Sequence, residues 1–216
     1  MAFDRTYFNT LSSGAAGGQR VFSYTDDTDG LMTIAADDYF LTAYTSLKAG
    51  DLIDIYAADG RGRFEVGTSS SSTVTLARSA GLCQVRVTIP SASVLTLRAT
   101  PYTLVGAPGA GKINVFDSAL LQLDYNSAGY TETADNMDIK YTDASGVVVS
   151  TTIEATGFID QTADTYVRAL AVLNAITANS AGENAALVLD NTGDGEYATG
   201  DSPLVVDSFF YVVPGV

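Results

Sequence analysis

Residues Thr96 to Tyr125 read TLRATPYTLVGAPGAGKINVFDSALLQLDY, and what the middle of this stretch does decides the fold. Short apolar runs flank Gly106-Ala107-Pro108-Gly109-Ala110-Gly111-Lys112. Gly106, Gly111 and Lys112 fit the phosphate-loop spacing G-x-x-x-x-G-K-[ST], but the next residue is Ile113, which has no hydroxyl to offer magnesium. A phosphate loop also opens a helix, whose N-terminal N–H groups hold the anion. Here Ile113, Val115, Asp117, Leu121, Leu123 and Tyr125 suit a strand instead, and no second, magnesium-holding acidic strand can be picked out. The stretch reads as strand, hairpin turn, strand, with glycine where a positive φ is needed.

Working outward, Pro90-Ser91-Ala92-Ser93 breaks the strand pattern and marks a boundary. Before it, Val21–Tyr24, Leu52–Tyr56, Arg63–Val66 and Val74–Ala77 are strand-like runs separated by turns. Leu82–Thr88 either finishes this unit or bridges to the next, and Ala35–Ser46 is either a short helix capped near Asp37 or a loop. After the boundary, the expected strands are Val94–Leu97, Tyr102–Val105, Ile113–Tyr125, Met137–Tyr141, Val147–Ile153, Leu187–Leu189 and Leu204–Val213. Thr165–Thr177 fits a helical face or a strand; the reading adopted is a short helix over 160–165 and a strand after it. The expectation is an all-β chain: an N-terminal arm over 1–20, a small β domain over 21–90, and a jelly-roll-like β-sandwich over 91–216. Residues 1–18 either form an arm that orders against something else or a frayed terminus carrying Phe3, Tyr7 and Phe8.

Composition narrows function. The chain has 216 residues, enough for a real core, and no apolar run long enough to cross a bilayer as a helix. Its opening lacks the apolar segment of a signal peptide, so synthesis in a cytoplasm without general secretion is expected. A net charge of −14 opposes binding to nucleic acid or to an anionic membrane, and suits a basic partner surface. There is no histidine, which removes the usual general base and the commonest metal ligand. The lone Cys83 has no disulfide partner in the chain and reads as a small buried hydrophobe. No enzyme, cofactor or metal is expected.

Three constellations were weighed. Asp190-Asn191-Thr192-Gly193-Asp194-Gly195-Glu196 with Asp201 partly matches a calcium loop, yet lacks the final Glu and flanking helices, and a β-turn explains the same letters. Asp26, Asp27 and Asp29 read as a solvated acidic turn in place of a glycosidase pair. Arg61-Gly62-Arg63 either grips an acidic partner or is a turn with two solvated side chains, the second being the reading favoured. The last strand, with Phe209, Phe210 and Tyr211, is bulky on both faces, so one face fills the sandwich and the other needs cover.

The opening MAFDRTYFNTLSSGAAGGQRVFSY resembles the start of many tailed-bacteriophage virion proteins. TPYTLVGAPGAGKINVFDSALLQLDYNSAGY, TGFIDQTAD and TGDSPLVVDSFFYVV are similar to segments of the same group. The resemblance implies a virion structural protein of the head-decoration, cement or head-fibre kind, a homotrimer with a jelly-roll-like domain. It implies the major capsid protein as partner and the outer capsid surface as location. Phe3, Tyr7, Phe8, Phe209 and Tyr211 are the expected capsid or subunit contacts, with the arm and first unit docking and the sandwich projecting outward. The alternative is a head- or tail-fibre module that recognises a host surface glycan.

Overall fold

The computed structural model describes residues 3–13, 18–132, 135–172 and 179–215. Among the described residues, twelve strands carry the fold. The first six are β1 (Phe8–Ser12), β2 (Val21–Thr25), β3 (Leu52–Tyr56), β4 (Gly60–Ser69), β5 (Val74–Ser79) and β6 (Cys83–Ile89). Then come β7 (Tyr102–Val105), β8 (Lys112–Leu123), β9 (Met137–Tyr141), β10 (Thr165–Leu170), β11 (Leu187–Asn191) and β12 (Leu204–Pro214). A large sheet runs β1-β2-β3-β4-β6-β12-β8-β10, with β5 paired to β4, and a small one runs β7-β11-β9. The two sheets share one apolar core, so the all-β sandwich expected from sequence is what forms.

Period-two burial explains the large sheet. β2 buries Phe22 and Tyr24, β3 buries Ile53 and Ile55, β4 buries Phe64 and Val66, and β12 buries Leu204, Val206, Phe210 and Val212. β12 is the hinge of the topology, because it pairs with β6 on one side and β8 on the other, so strands from both halves of the chain lie in one sheet. β2 and β3 are parallel, which demands a crossover. Residues 26–51 supply it, and helix α1 (Leu31–Ile34) with Phe40, Ala43 and Leu47 buries apolar side chains in the core.

Several expectations change. The turn after β7 exists, and Gly109 and Gly111 do take positive φ (+95° and +71°). It is not a hairpin: β7 pairs with β11 in the small sheet, whereas β8 pairs with β12 and β10 in the large one. Val94–Leu97 is no strand. Pro90 opens helix α2 (Ser91–Val94), and Val94 and Leu97, three apart, are both fully buried, as residues on one face of a helical turn are. Residues 160–165 hold no helix: 155–160 form a turn in which Gly157 donates to Asp160 Oδ1, and β10 starts at Thr165. The strand half of that reading stands through Leu170; residues 173–178 lie outside the described residues, as do 14–17 of the arm. Val147–Ile153 makes only isolated bridges to β9, because the Ser150 hydroxyl takes the Ile139 N–H. Arg61 and Arg63 lie on β4, not in a turn. Cys83 is fully buried, and burial pushes its thiol up to about 12.

Candidate interaction surface

One face of the large sheet packs on the core; the register shows what the other displays. Across β4, β6, β12, β8 and β10, Arg61, Gln84, Phe209, Ser118 and Leu170 stand in one row. Arg86, Asp207, Leu120 and Arg168 form the next, and Thr88, Val205, Gln122 and Tyr166 the one after. Tyr211 lies opposite Val115. Leu82, Leu120, Tyr166, Leu170 and Tyr211 are between 39 and 59 % exposed. Neighbouring apolar groups on one sheet face exceed the scattered singles normal for a surface.

The charge of this face departs from that of the chain. Arg61, Arg63, Arg78, Arg86 and Arg168 stand against Asp54, Glu65 and Asp207, in a protein of net charge −14. Arg63 pairs with Asp54 (2.8 Å), Arg78 with Glu65 (2.8 Å) and Arg86 with Asp207 (2.6 Å). Burial raises the Asp207 carboxyl, but hydrogen bonds from Arg86 and Gln84 outweigh it and leave it below its ordinary value. Asp54, Tyr56, Arg61, Arg63 and Leu82 line a shallow cleft of about 280 Å³ at the β3–β4 end.

Of the residues singled out from sequence, Phe209 and Tyr211 are on this face, half-buried and exposed. Phe3 and Phe8 turn toward their own chain. Phe3 stacks on Tyr24 at 5.3 Å and meets Phe40 edge-on, while Phe8 stacks on Phe22 at 4.9 Å. Tyr7 is 54 % exposed in the turn that precedes the edge strand β1, on which Leu11 is exposed too. Leu82, Leu120, Tyr166 and Leu170 went unmarked, because single apolar residues on separate strands carry no signal until register unites them.

The remaining constellations serve the fold. In the turn 106–111, Gly109 N–H donates to Asn184 and Gly111 N–H donates to Glu183. Lys112 Nζ is 2.7 Å from Asp37, so the groups that would cradle a phosphate already have protein acceptors. The Asp190–Asp201 carboxylates diverge: Asp190 pairs with Lys140, Glu196 accepts the N–H groups of Arg98 and Ala99, and Asp201 binds residues 126–128. Among the described residues, no group of three or more Cys, Asp or Glu is arranged to hold a metal. Asp26 accepts from the Thr28 hydroxyl and from the Thr28 and Asp29 N–H groups, and Tyr39 OH bridges it to Asp29. Burial opposes its charge, yet these bonds win and hold its carboxyl below the ordinary value.

Asp201 gives a pH prediction. The Ser127 hydroxyl, then the Ala128 and Ser127 N–H groups, lower its carboxyl from 3.8 to about 2. A depressed folded value stabilises the fold above the unfolded value and loses that contribution as pH falls through about 2. Asp201→Asn is expected to flatten the acid side of the Tm-against-pH curve and to leave its neutral side parallel to wild type.

No protein-family profile matches the chain, and no curated protein matches it. Among solved structures, a chain from the capsid of Ralstonia phage GP4 is similar over 63 % of this chain and 87 % of its own. The identity is 18 % and the TM-score 0.31, a slight likeness.

Proposed function

We propose that the chain is a non-enzymatic structural protein of a phage virion, a head-decoration or cement protein. It docks on the major capsid protein through the outer face of its large sheet and stabilises the shell. The observation that carries the reading is that face: exposed Leu120, Tyr166, Leu170 and Tyr211 around half-buried Phe209, rimmed by arginines. Tyr and Arg beside apolar anchors are the residues that protein interfaces favour, and such binding needs no reactive group. Each large apolar side chain buried there contributes about 1.5–3 kcal/mol before the costs of association. The arginine excess fits an acidic patch on the capsid subunit. The edge strand β1, with Leu11 exposed on it and Tyr7 exposed in the turn just before it, serves contact between copies in a homotrimer.

Light scattering followed by co-sedimentation tests this. The purified chain is expected to be a trimer that pellets with undecorated capsids of its own phage. A protein that stays in solution beside those capsids but binds on a glycan array is a receptor-binding module instead.

A further inference from the structure

In the small sheet, β9 and β11 are antiparallel, with Asp138 opposite Asp190 and Lys140 opposite Val188. Alternation puts Lys140, Asp138 and Asp190 on one side, away from Ile139, Tyr141 and Leu189. Asp190 and Lys140 are buried there, 1 % and 9 % exposed, and Asp138 is half-buried beside them. Lys140 Nζ lies 2.6 Å from Asp190 Oδ2, and the Ala144 carbonyl accepts a second bond from it at 3.0 Å. Asp190 Oδ1 and Asp138 Oδ1 are both buried with no hydrogen-bond partner. Two carboxylates face each other there and one ammonium lies beside them. Burial pushes the Asp138 carboxyl up from its ordinary value, against a hydrogen bond from Thr152 and the charge of Lys140.

We propose that this cluster is a self-modification site, at which Lys140 and Asp190 become joined by an isopeptide bond with Asp138 handling the proton. The step balances without any co-reactant. A C–N bond forms between Lys140 Nζ and Asp190 Cγ, and the Cγ–Oδ2 bond breaks. Oδ2 leaves as water, taking two of the three ammonium protons; nothing is oxidised or reduced. Contact between the two groups replaces the bimolecular encounter that makes amide formation slow in solution. Exclusion of water removes the solvation that stabilises the ion pair. The Asp138 acid donates to Oδ1 as negative charge grows on it, and recovers its proton at the end. The unpartnered oxygens are the places where that transient bond forms. This inference is independent of the virion reading.

The test is the intact mass and peptide map of the purified full chain. The expected mass is one water below that of the sequence, with a branched peptide that joins the Lys140 segment to the Asp190 segment. Asp29-Gly30, Asp59-Gly60 and Asp194-Gly195 can also lose water by succinimide formation, but those products remain linear, so the map decides. Asp190→Asn is expected to lose ammonia in place of water. Asp138→Asn is expected to keep its full mass while its circular dichroism stays that of the folded wild type. Full sequence mass in the wild type, or linear peptides for both segments, would overturn the proposal and leave a buried ion pair. A bond that still forms in folded Asp138→Asn would overturn the part given to Asp138.

Discussion

Phe210→Ala is expected to destabilise the fold by about 3–5 kcal/mol, whereas Phe209→Ala one residue away changes stability by about 1 kcal/mol or less. The two rings point to opposite faces of β12, the strand that joins the two halves of the large sheet. Phe210 is fully buried in the core, opposite Cys83 and Phe116. Phe209 is half-buried on the outer face, opposite Gln84 and Ser118. Truncating the first leaves a cavity in the core, and truncating the second removes a ring that its own chain covers only in part. Urea unfolding followed by circular dichroism measures both, with an unchanged m-value showing that only stability moved. A larger loss in Phe209→Ala than in Phe210→Ala would mean that the β12 register is wrong, since a slip of one residue exchanges the faces.

The second large effect is at Lys140. In an Asp138→Asn background, where the isopeptide bond is expected not to form, Lys140→Met is expected to cost about 3–5 kcal/mol, the usual cost of leaving one member of a buried ion pair alone. Asp190, 1 % exposed, would be left buried with no cation beside it. Replacing both members, as Lys140→Met with Asp190→Leu, should recover much of that loss, because a packed apolar pair carries no stranded charge. The same urea titration reads both variants. A single substitution that costs under about 1 kcal/mol would show an exposed pair of little worth.

Much of the fold was legible because burial alternates. VFSY, LIDIY and LVVDSFFYVV have the period of half-buried strands, and they are β2, β3 and β12. Gly109 and Gly111 were readable as positive-φ positions because no side chain favours that region. Whether the strands on either side of them pair was not legible. A turn looks the same locally whether it closes a hairpin or carries the chain from one sheet to another, and long-range pairing with β11 and β12 decided it. Val94–Leu97 misled for a related reason: Val and Leu favour strands, but Pro90 starts a helical turn ahead of them.

The candidate surface was half legible. Phe209 and Tyr211 stood out because they adjoin Phe210 in one bulky run. Leu120, Tyr166 and Leu170 come from two other strands and meet them only through the pairing of β10, β8 and β12. Asp138 and Lys140 hid behind the alternation itself. Charged residues alternate there with Met137, Ile139 and Tyr141, and only Asp190 on the neighbouring strand makes them a cluster.

Docking through the outer face is tested most directly by one co-sedimentation experiment with undecorated capsids. It compares the wild type with a Leu120→Asp, Tyr211→Asp double variant whose circular dichroism is unchanged. Both substituted side chains are 39 % exposed, so the fold should tolerate the change. The expected result is wild type in the pellet and the variant in the supernatant, with binding weakened at least about tenfold for each 1.4 kcal/mol of anchoring lost. A folded variant that pellets as fully as the wild type would contradict the account, and would move the docking surface away from the outer face of the large sheet.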